Sequence, residues 1–332
     1  MPDILLLAEA WTQEDMHEGT LFSSASGFLF RNMLKQVGID FKSCHSTAVF
    51  AFVCNDVQTL AGFKAEGIPG RVSVGKGKYI NKKYLPELER LYREIDEIKP
   101  NIIITLGPAA SWAMLNTTGV KQIRGAVVQG RNNVKVLPTW GPSAVARDYT
   151  LRPIVVSDLD KARAASSDSI YRKPQRFIHI EPTLQDLITF EYQHIRPSPK
   201  LSIDIETRQN QITCIGFAPT NDRCLVVPIY NPKSSDGNYW RTLEEEMKAW
   251  AWISRMCGLQ KQLIFQNGLY DMHFLWKQYG IPCPHATDDT MLLHHALQPE
   301  MEKSLGFLAS IYTQEAPWKF MRSKHETIKK ED

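Results

Sequence analysis

Apolar and polar positions along this chain follow two different periods, and the places where one gives way to the other outline a fold. In the first half, the short continuous apolar runs DILLLAE, AVFAFVC, NIIITLG and KVLPTW read as strands buried on both faces. Between them, apolar positions recur at three- and four-residue spacing. Phe30, Met33, Leu34 and Val37 share one face of a helix predicted in SGFLFRNMLKQVGI, with Gly38 as its stop. Leu85, Leu88, Leu91, Ile95 and Ile98 do the same in YLPELERLYREIDEIK, and PAASWAMLN reads as a helix of small residues. The Gly- and Lys-rich stretch from Gly67 to Lys83 reads as a surface loop. Strand–helix alternation of this kind argues for a parallel sheet covered by helices.

The polar segment KARAASSDSIYRKPQRF ends that pattern, and strands then come first: FIHIEPT, KLSIDIE, ITCIGFAP and RCLVVPIY. WRTLEEEMKAWAWISRM follows as a helix whose stripe Leu243, Met247 and Trp250 is expected to face the core, with no role assigned to Trp252. KQLIFQN is a strand, YDMHFLWKQYG a helix, and ATDDTMLLHHAL and SLGFLASIY read as helices. The expectation is an α/β chain of two domains, residues 1–165 and 177–332, joined by a linker at 166–176. The first has a parallel sheet and the second a mixed one.

Composition narrows this only a little. The chain has 332 residues, 43% hydrophobic and 23% charged, as ordinary globular proteins do. A net charge of +3 neither demands nor excludes nucleic acid, because a small total can hide a local basic groove. The six cysteines form no C-x-x-C pair, which argues against zinc or an iron–sulfur cluster and for a reduced chain. No apolar run is long enough for a membrane helix, and MPDILLLAEAW reads as a strand rather than a leader, so no membrane partner is expected. Lys76, Lys78, Lys82 and Lys83, with Gly75, Gly77 and Tyr79, suit either nucleic acid or plain solvation. His294 and His295 read as packing residues of a helix.

Candidate chemistry begins with LSIDIET. A strand alternates its faces, so Asp204 and Glu206 point the same way while Leu201, Ile203 and Ile205 take the other. Two carboxylates side by side repel, and a cation between them would relieve this. In QLIFQNGLYDMHFLW, Asn267 ends an apolar strand and Asp271 follows one helical turn later, so Asp271 can aim back at the strand ends. Three converging carboxylates suit Mg²⁺ or Mn²⁺. Two such ions ~4 Å apart can activate water and hold the leaving oxygen in phosphodiester hydrolysis.

SIDIET, FQNGLYD and TDDTMLLHHALQPEMEKSLGFLASIY together resemble the 3′–5′ proofreading exonuclease domain of family A DNA polymerases, within the DnaQ-like, RNase H-like nucleases, over about residues 177–320. The resemblance implies Asp204, Glu206 and Asp271 as catalytic metal ligands. It implies Thr207 and Asn267 as contacts to the terminal nucleotide, and Asp289 with Thr290 as a structural helix opening. It further implies a single-stranded 3′ end or primer-template as partner, a polymerase module in the same gene or a separate subunit, and the cytoplasm of a phage-infected bacterium as the setting. The family's third motif, Tyr-x-x-x-Asp or His-x-x-x-Asp, is missing: Tyr312 is followed four residues on by Ala316, and His325 by Lys329. The expectation is the front part of a longer polymerase, a split gene product, or a nuclease short of one group.

The first half, over about residues 3–163, is similar to the uracil-DNA glycosylase superfamily, especially its family 4 and a related domain fused to some phage DNA polymerases. The matching pieces are LLLAEAWTQEDMHEGTLFSSASGFLFRNMLKQVGI, KPNIIITLGPAASWAML, IRGAVV and VLPTWGPSAVARDYTLRPIVVSDLDKA. Glu9, Phe22 and Ser143 fall in the pocket the resemblance implies: Phe22 as a stacking ring, Glu9 as a water-orienting group or structural cap, Ser143 as a phosphate contact. Gly141 stands where a histidine is expected and Trp11 where a proline is, and the family's cluster-binding cysteines have no equivalents. A degenerate domain without glycosylase activity and without an iron–sulfur cluster is therefore expected. A non-catalytic DNA-binding or scaffolding protein and an active uracil-DNA glycosylase remain the alternative readings.

Overall fold

Residues 3–315 are described in the computed structural model. The first unit runs to Arg172 and takes in the chain again from Gly306; the second is Lys173–Leu305. In the first, β1 (Ile4–Trp11) and β2 (His45–Val53) are followed by a short hairpin of β3 (Ala61–Gly62) and β4 (Tyr79–Ile80), then β5 (Ile102–Leu106), β6 (Val128–Gln129) and β7 (Lys135–Thr139). Five of these form one sheet in the order β2-β1-β5-β7-β6, parallel except for the edge strand β6. Its helices are α1 (Gln13–Glu18), α2 (Ala25–Gln36), α3 (Leu85–Ile98), α4 (Pro108–Leu115), α5 (Val120–Ile123), α6 (Pro142–Arg147) and α7 (Arg152–Ala165).

The continuous apolar run of β1 has a simple cause. Ile4 and Leu6 pack with Phe30, Met33 and Leu34 of α2 and Val155 of α7, while Leu5 and Leu7 pack with Leu88, Leu91 and Ile95 of α3. A strand covered on both faces has no polar side to show. The expected core faces of α2 and α3 are the faces found.

In the second unit, β8 (Phe177–His179), β9 (Lys200–Arg208), β10 (Gln211–Ala218), β11 (Arg223–Pro228), β12 (Gln262–Phe265) and β13 (Ala286–Asp289) form a mixed sheet in the order β13-β12-β9-β10-β11-β8. β9, β10 and β11 are an antiparallel meander; β12 joins β9 in parallel and β13 joins β12. This is a mixed sheet, as expected for the second domain. The helices are α8 (Leu184–Phe190), α9 (Leu243–Cys257), α10 (Gly268–Tyr279) and α11 (Thr290–Leu297).

Two local expectations are corrected. α9 buries Ala249, Trp252, Ile253 and Met256, with the Trp252 ring edge-on to Phe217 at 5.1 Å, whereas Leu243 is 74% exposed and Met247 64%. Trp250 lies at the margin, stacked on Tyr279 at 4.3 Å. The run AWAWI is apolar on two helical faces, and the longer stripe wins. ATDDTMLLHHAL is not helical throughout, since its first four residues pair with β12 as β13.

α12 (Leu305–Tyr312) packs with residues of the first unit. Asp158 is fully buried between Arg124, whose Nε donates to Oδ2 at 2.8 Å, and Thr139, whose Oγ1 donates at 2.6 Å. Arg124 Nη1 reaches Ser310 Oγ at 2.7 Å, and Lys161 Nζ donates to Gly125 O at 3.0 Å and Thr313 O at 2.6 Å. Charges taken out of water must be paired and fully hydrogen-bonded to be tolerated. Here the end of α12 supplies the acceptors that Asp158 alone cannot. Among the described residues no helix is long and apolar enough to cross a membrane.

Candidate functional site

β9 presents Asp204 and Glu206 on one exposed face while Ile203 and Ile205 enter the core. Across the sheet, Asp204 pairs with Gly216 and Glu206 with Cys214, so β10 offers no cation opposite either carboxylate. On its other edge β9 pairs with β12 only over Lys200–Ser202. β12 then leaves the sheet through Asn267, which adopts a left-handed conformation (φ 59°). Gly268 follows, and a Cβ there would lie 2.4 Å from that of Phe265, so the turn admits no side chain at this position. The turn starts α10 and brings Asp271, in its first helical turn, back onto β9. Asp271 Oδ1 accepts the Ile205 N–H at 3.0 Å, and the residue is 5% exposed.

Asp289 fixes this turn. Its carboxylate accepts the Asn267 N–H at 3.1 Å and the Gly268 N–H at 2.7 Å, and it caps α11 through the Met291 N–H at 2.8 Å. Thr290 Oγ1 donates to Phe265 O at 3.2 Å. Both residues act on the backbone, as the sequence reading of a structural pair expects. Thr207 lies farther along β9, its hydroxyl 2.7 Å from that of Tyr270. Tyr270 was not singled out from sequence, although its place one residue before Asp271 puts it on the same turn. It is 49% exposed and its neighbour Leu269 77%, forming an apolar rim beside the carboxylates.

Asp204 and Asp271 are both held above the ordinary carboxylate range. Burial, then the charges of Asp271 and Glu206, push Asp204 up to about 6. Burial also raises Asp271, against the Ile205 N–H that favours its ionised form, with Asp289 and Glu206 adding to the rise. Every influence on Asp204 disfavours its charge, the signature of a site that wants a cation. The donor set, all hard oxygen, matches Mg²⁺ or Mn²⁺. Among the described residues, however, no group of three or more His, Cys, Asp or Glu side chains is already arranged to hold a metal ion. Residues 316–332, where the third motif fails in the sequence, lie outside the described residues.

In the first unit, Glu9 sits near the carboxyl end of β1, where parallel sheets place their ligand sites. Its Oε1 accepts the Ala109 N–H at 2.6 Å, capping the start of α4. Burial raises its pKa, while that N–H and Arg147 lower it. Gly107 (φ 107°) passes so close that a Cβ would lie 2.8 Å from the Glu9 carboxyl carbon. Gly141 flanks Gly107 from the other side, its would-be Cβ 3.7 Å from the Gly107 nitrogen, and Ser143 is exposed one residue past Pro142. Phe22 is 5% exposed, its ring 5.1 Å from Phe30 and 6.1 Å from Phe41. A cleft of about 650 Å³ opens beside α1 and α2, lined by Gln13, His17, Phe22, Phe28 and Arg31 among others.

Among solved structures, Escherichia coli RNase D, an exoribonuclease involved in structured RNA processing, is similar at 15% identity and a TM-score of 0.32, over 45% of this chain. The match spans 36% of RNase D. The EXO domain of Aedes aegypti Nibbler is similar at 10% identity and a TM-score of 0.34, over 49% of this chain and 81% of that domain. The EXD2 exonuclease domain soaked in Mn and GMP is similar at 12% identity and a TM-score of 0.28, over 46% and 76% of the two chains. No curated protein matches the chain. Residues 1–162 match the family model described as the uracil DNA glycosylase superfamily.

Proposed function

We propose that the second unit is a DnaQ-like nuclease that removes nucleotides from single-stranded 3′ ends of DNA, as the proofreading part of a phage-type replicative polymerase. The observation that supports this reading is the Ile205 N–H bond to Asp271, which brings a further acid onto β9, with the charges of Asp271 and Glu206 both opposing that of Asp204. These three would hold Mg²⁺ or Mn²⁺, which when bound supplies neutralisation of the acids and activation of water. The chain's own part is positional. The Asp289-held turn sets Asp271 against the strand, and Asn267 and Thr207 would serve as contacts for the terminal nucleotide. Tyr270 and Leu269 offer apolar surface for its base. The polymerase link rests on the motif order S-I-D-I-E-T and F-Q-N-G-L-Y-D. Residues 1–165 would form the glycosylase-like part and residues from 177 on the nuclease part.

The test is a nuclease assay on 3′- and 5′-labelled single strands with Mg²⁺, Mn²⁺ or EDTA. Metal-dependent release of mononucleotides that Asp204→Ala abolishes supports the reading. Equal activity in that variant removes it.

A second reading is a non-catalytic DNA-binding module. The lack of a ready metal-holding group among the described residues favours it. It predicts salt-sensitive DNA binding with no metal-dependent cleavage. Uracil excision is disfavoured in either case, because Glu9 is committed to the start of α4 and Gly141 has no side chain to offer a leaving base.

A further inference from the structure

Residues 61–84 carry Lys64, Arg71, Lys76, Lys78, Lys82 and Lys83 against the single acid Glu66, in a chain whose net charge is only +3. The remainder of the molecule is therefore slightly acidic. The five lysines are all exposed, and none forms an ion pair among the described residues.

The platform beneath them is held by the core. Ile68, Val74 and Ile80 are buried, and the Ile68 N–H bonds Ile80 O at 3.0 Å. Trp112 Nε1 donates to Val72 O at 2.9 Å, Gln58 Nε2 to Val74 O at 2.7 Å, and Asn116 Oδ1 accepts the Val72 N–H at 2.9 Å. A loop serving only as a solvated connection has no need of this anchoring.

At its tip, Gly75, Lys76 and Gly77 all have positive φ, at 131°, 49° and 71°. A lysine resists that conformation, where glycine or asparagine fits readily. The turn accepts local strain and in return carries an ammonium group at its apex. Phe63 is 81% exposed. The β3–β4 register pairs Ala61 with Ile80 and Gly62 with Tyr79, so Phe63 follows directly on the paired residues of the hairpin that bears the lysines.

We propose that this hairpin is a docking element for a single strand of nucleic acid, with lysines on the phosphates and a base stacked on Phe63. Cations interleaved with an exposed aromatic ring are the recognition chemistry of unpaired strands. A duplex keeps its bases stacked on one another and offers no free face to the ring. The proposal rests on the first unit alone and stands apart from the carboxylates of the second.

The test is fluorescence anisotropy of the full chain in EDTA, with a labelled oligothymidylate and a duplex of equal length. Wild type should bind the single strand more tightly. The combined variant Lys78→Gln, Lys82→Gln, Lys83→Gln should loosen binding about tenfold or more and lower the slope of log affinity against log salt by about two. Phe63→Ser should loosen it about tenfold with the slope unchanged. Lys76→Asn should weaken binding severalfold while the melting temperature holds or rises. Unchanged affinity in Phe63→Ser, or duplex binding as tight as single-strand binding, overturns the proposal. Because EDTA prevents cleavage, the result is independent of whether the second unit is a nuclease.

Discussion

Asp271 accepts the backbone N–H of Ile205 at 3.0 Å, and so does for β9 what a paired strand would do. β12 stops pairing after Ser202, and a side chain from the following helix takes over the edge. The same contact brings a carboxylate near enough to Asp204 to oppose its charge, so folding and acidity are bound together at one side chain. Asp271→Ala should leave a buried N–H unsatisfied and cost about 1–3 kcal/mol in urea denaturation. Asp271→Asn keeps an acceptor and relieves repulsion, so its stability should equal or exceed wild type while Mn²⁺ binding by calorimetry is lost. Loss of stability in both variants would contradict this.

Stability without metal should fall with rising pH. Asp204 has a folded pKa of about 6, above the ordinary 3.8. Its protonated form therefore favours the folded state, and that contribution is full below the ordinary value and lost as pH rises through about 6. Urea midpoints measured in EDTA should decline across this window, and Asp204→Asn should flatten the decline. Divalent ions need the ionised form, so Mn²⁺ affinity should climb over the same range.

The Arg124–Asp158 pair predicts a larger effect in the first unit. Both groups are almost wholly buried, so Arg124→Ala strands a carboxylate in the core. The expected loss is about 3–5 kcal/mol, read as a lowered denaturation midpoint. An exposed pair such as Arg163–Asp160, by contrast, should matter little when broken.

Asp289→Ala removes the acceptor for the Asn267, Gly268 and Met291 N–H groups together. A lost helix cap costs about 0.5–2 kcal/mol, and this residue serves two helix starts. Hydrogen exchange at residues 267–271 should accelerate, and any nuclease activity should fall although Asp289 does not join the acidic edge.

Much of this was legible from local pattern. β1 showed as a fully buried strand, α2 and α3 as single-faced helices, and the D-x-E and N-x-x-x-D spacings placed Asp204, Glu206 and Asp271 on facing elements. What escaped had no local signal. The choice between Trp250 and Trp252 depended on Phe217, a residue on another element. β13 is only four residues long and depends on β12 for its pairing. The docking of α12 depends on Arg124, 186 residues before Ser310, and no periodicity reports so distant a partner.

The return of α12 gives the chain an unusual economy of attachment. The second unit is spliced into the first like a bead on a closed loop, since both of its ends run back into the same body. A protease nick in the polar stretch at 166–176 would not set it adrift. The two fragments would travel together through a sizing column and part only under denaturant, held by Arg124 and Lys161 gripping Ser310 and Thr313.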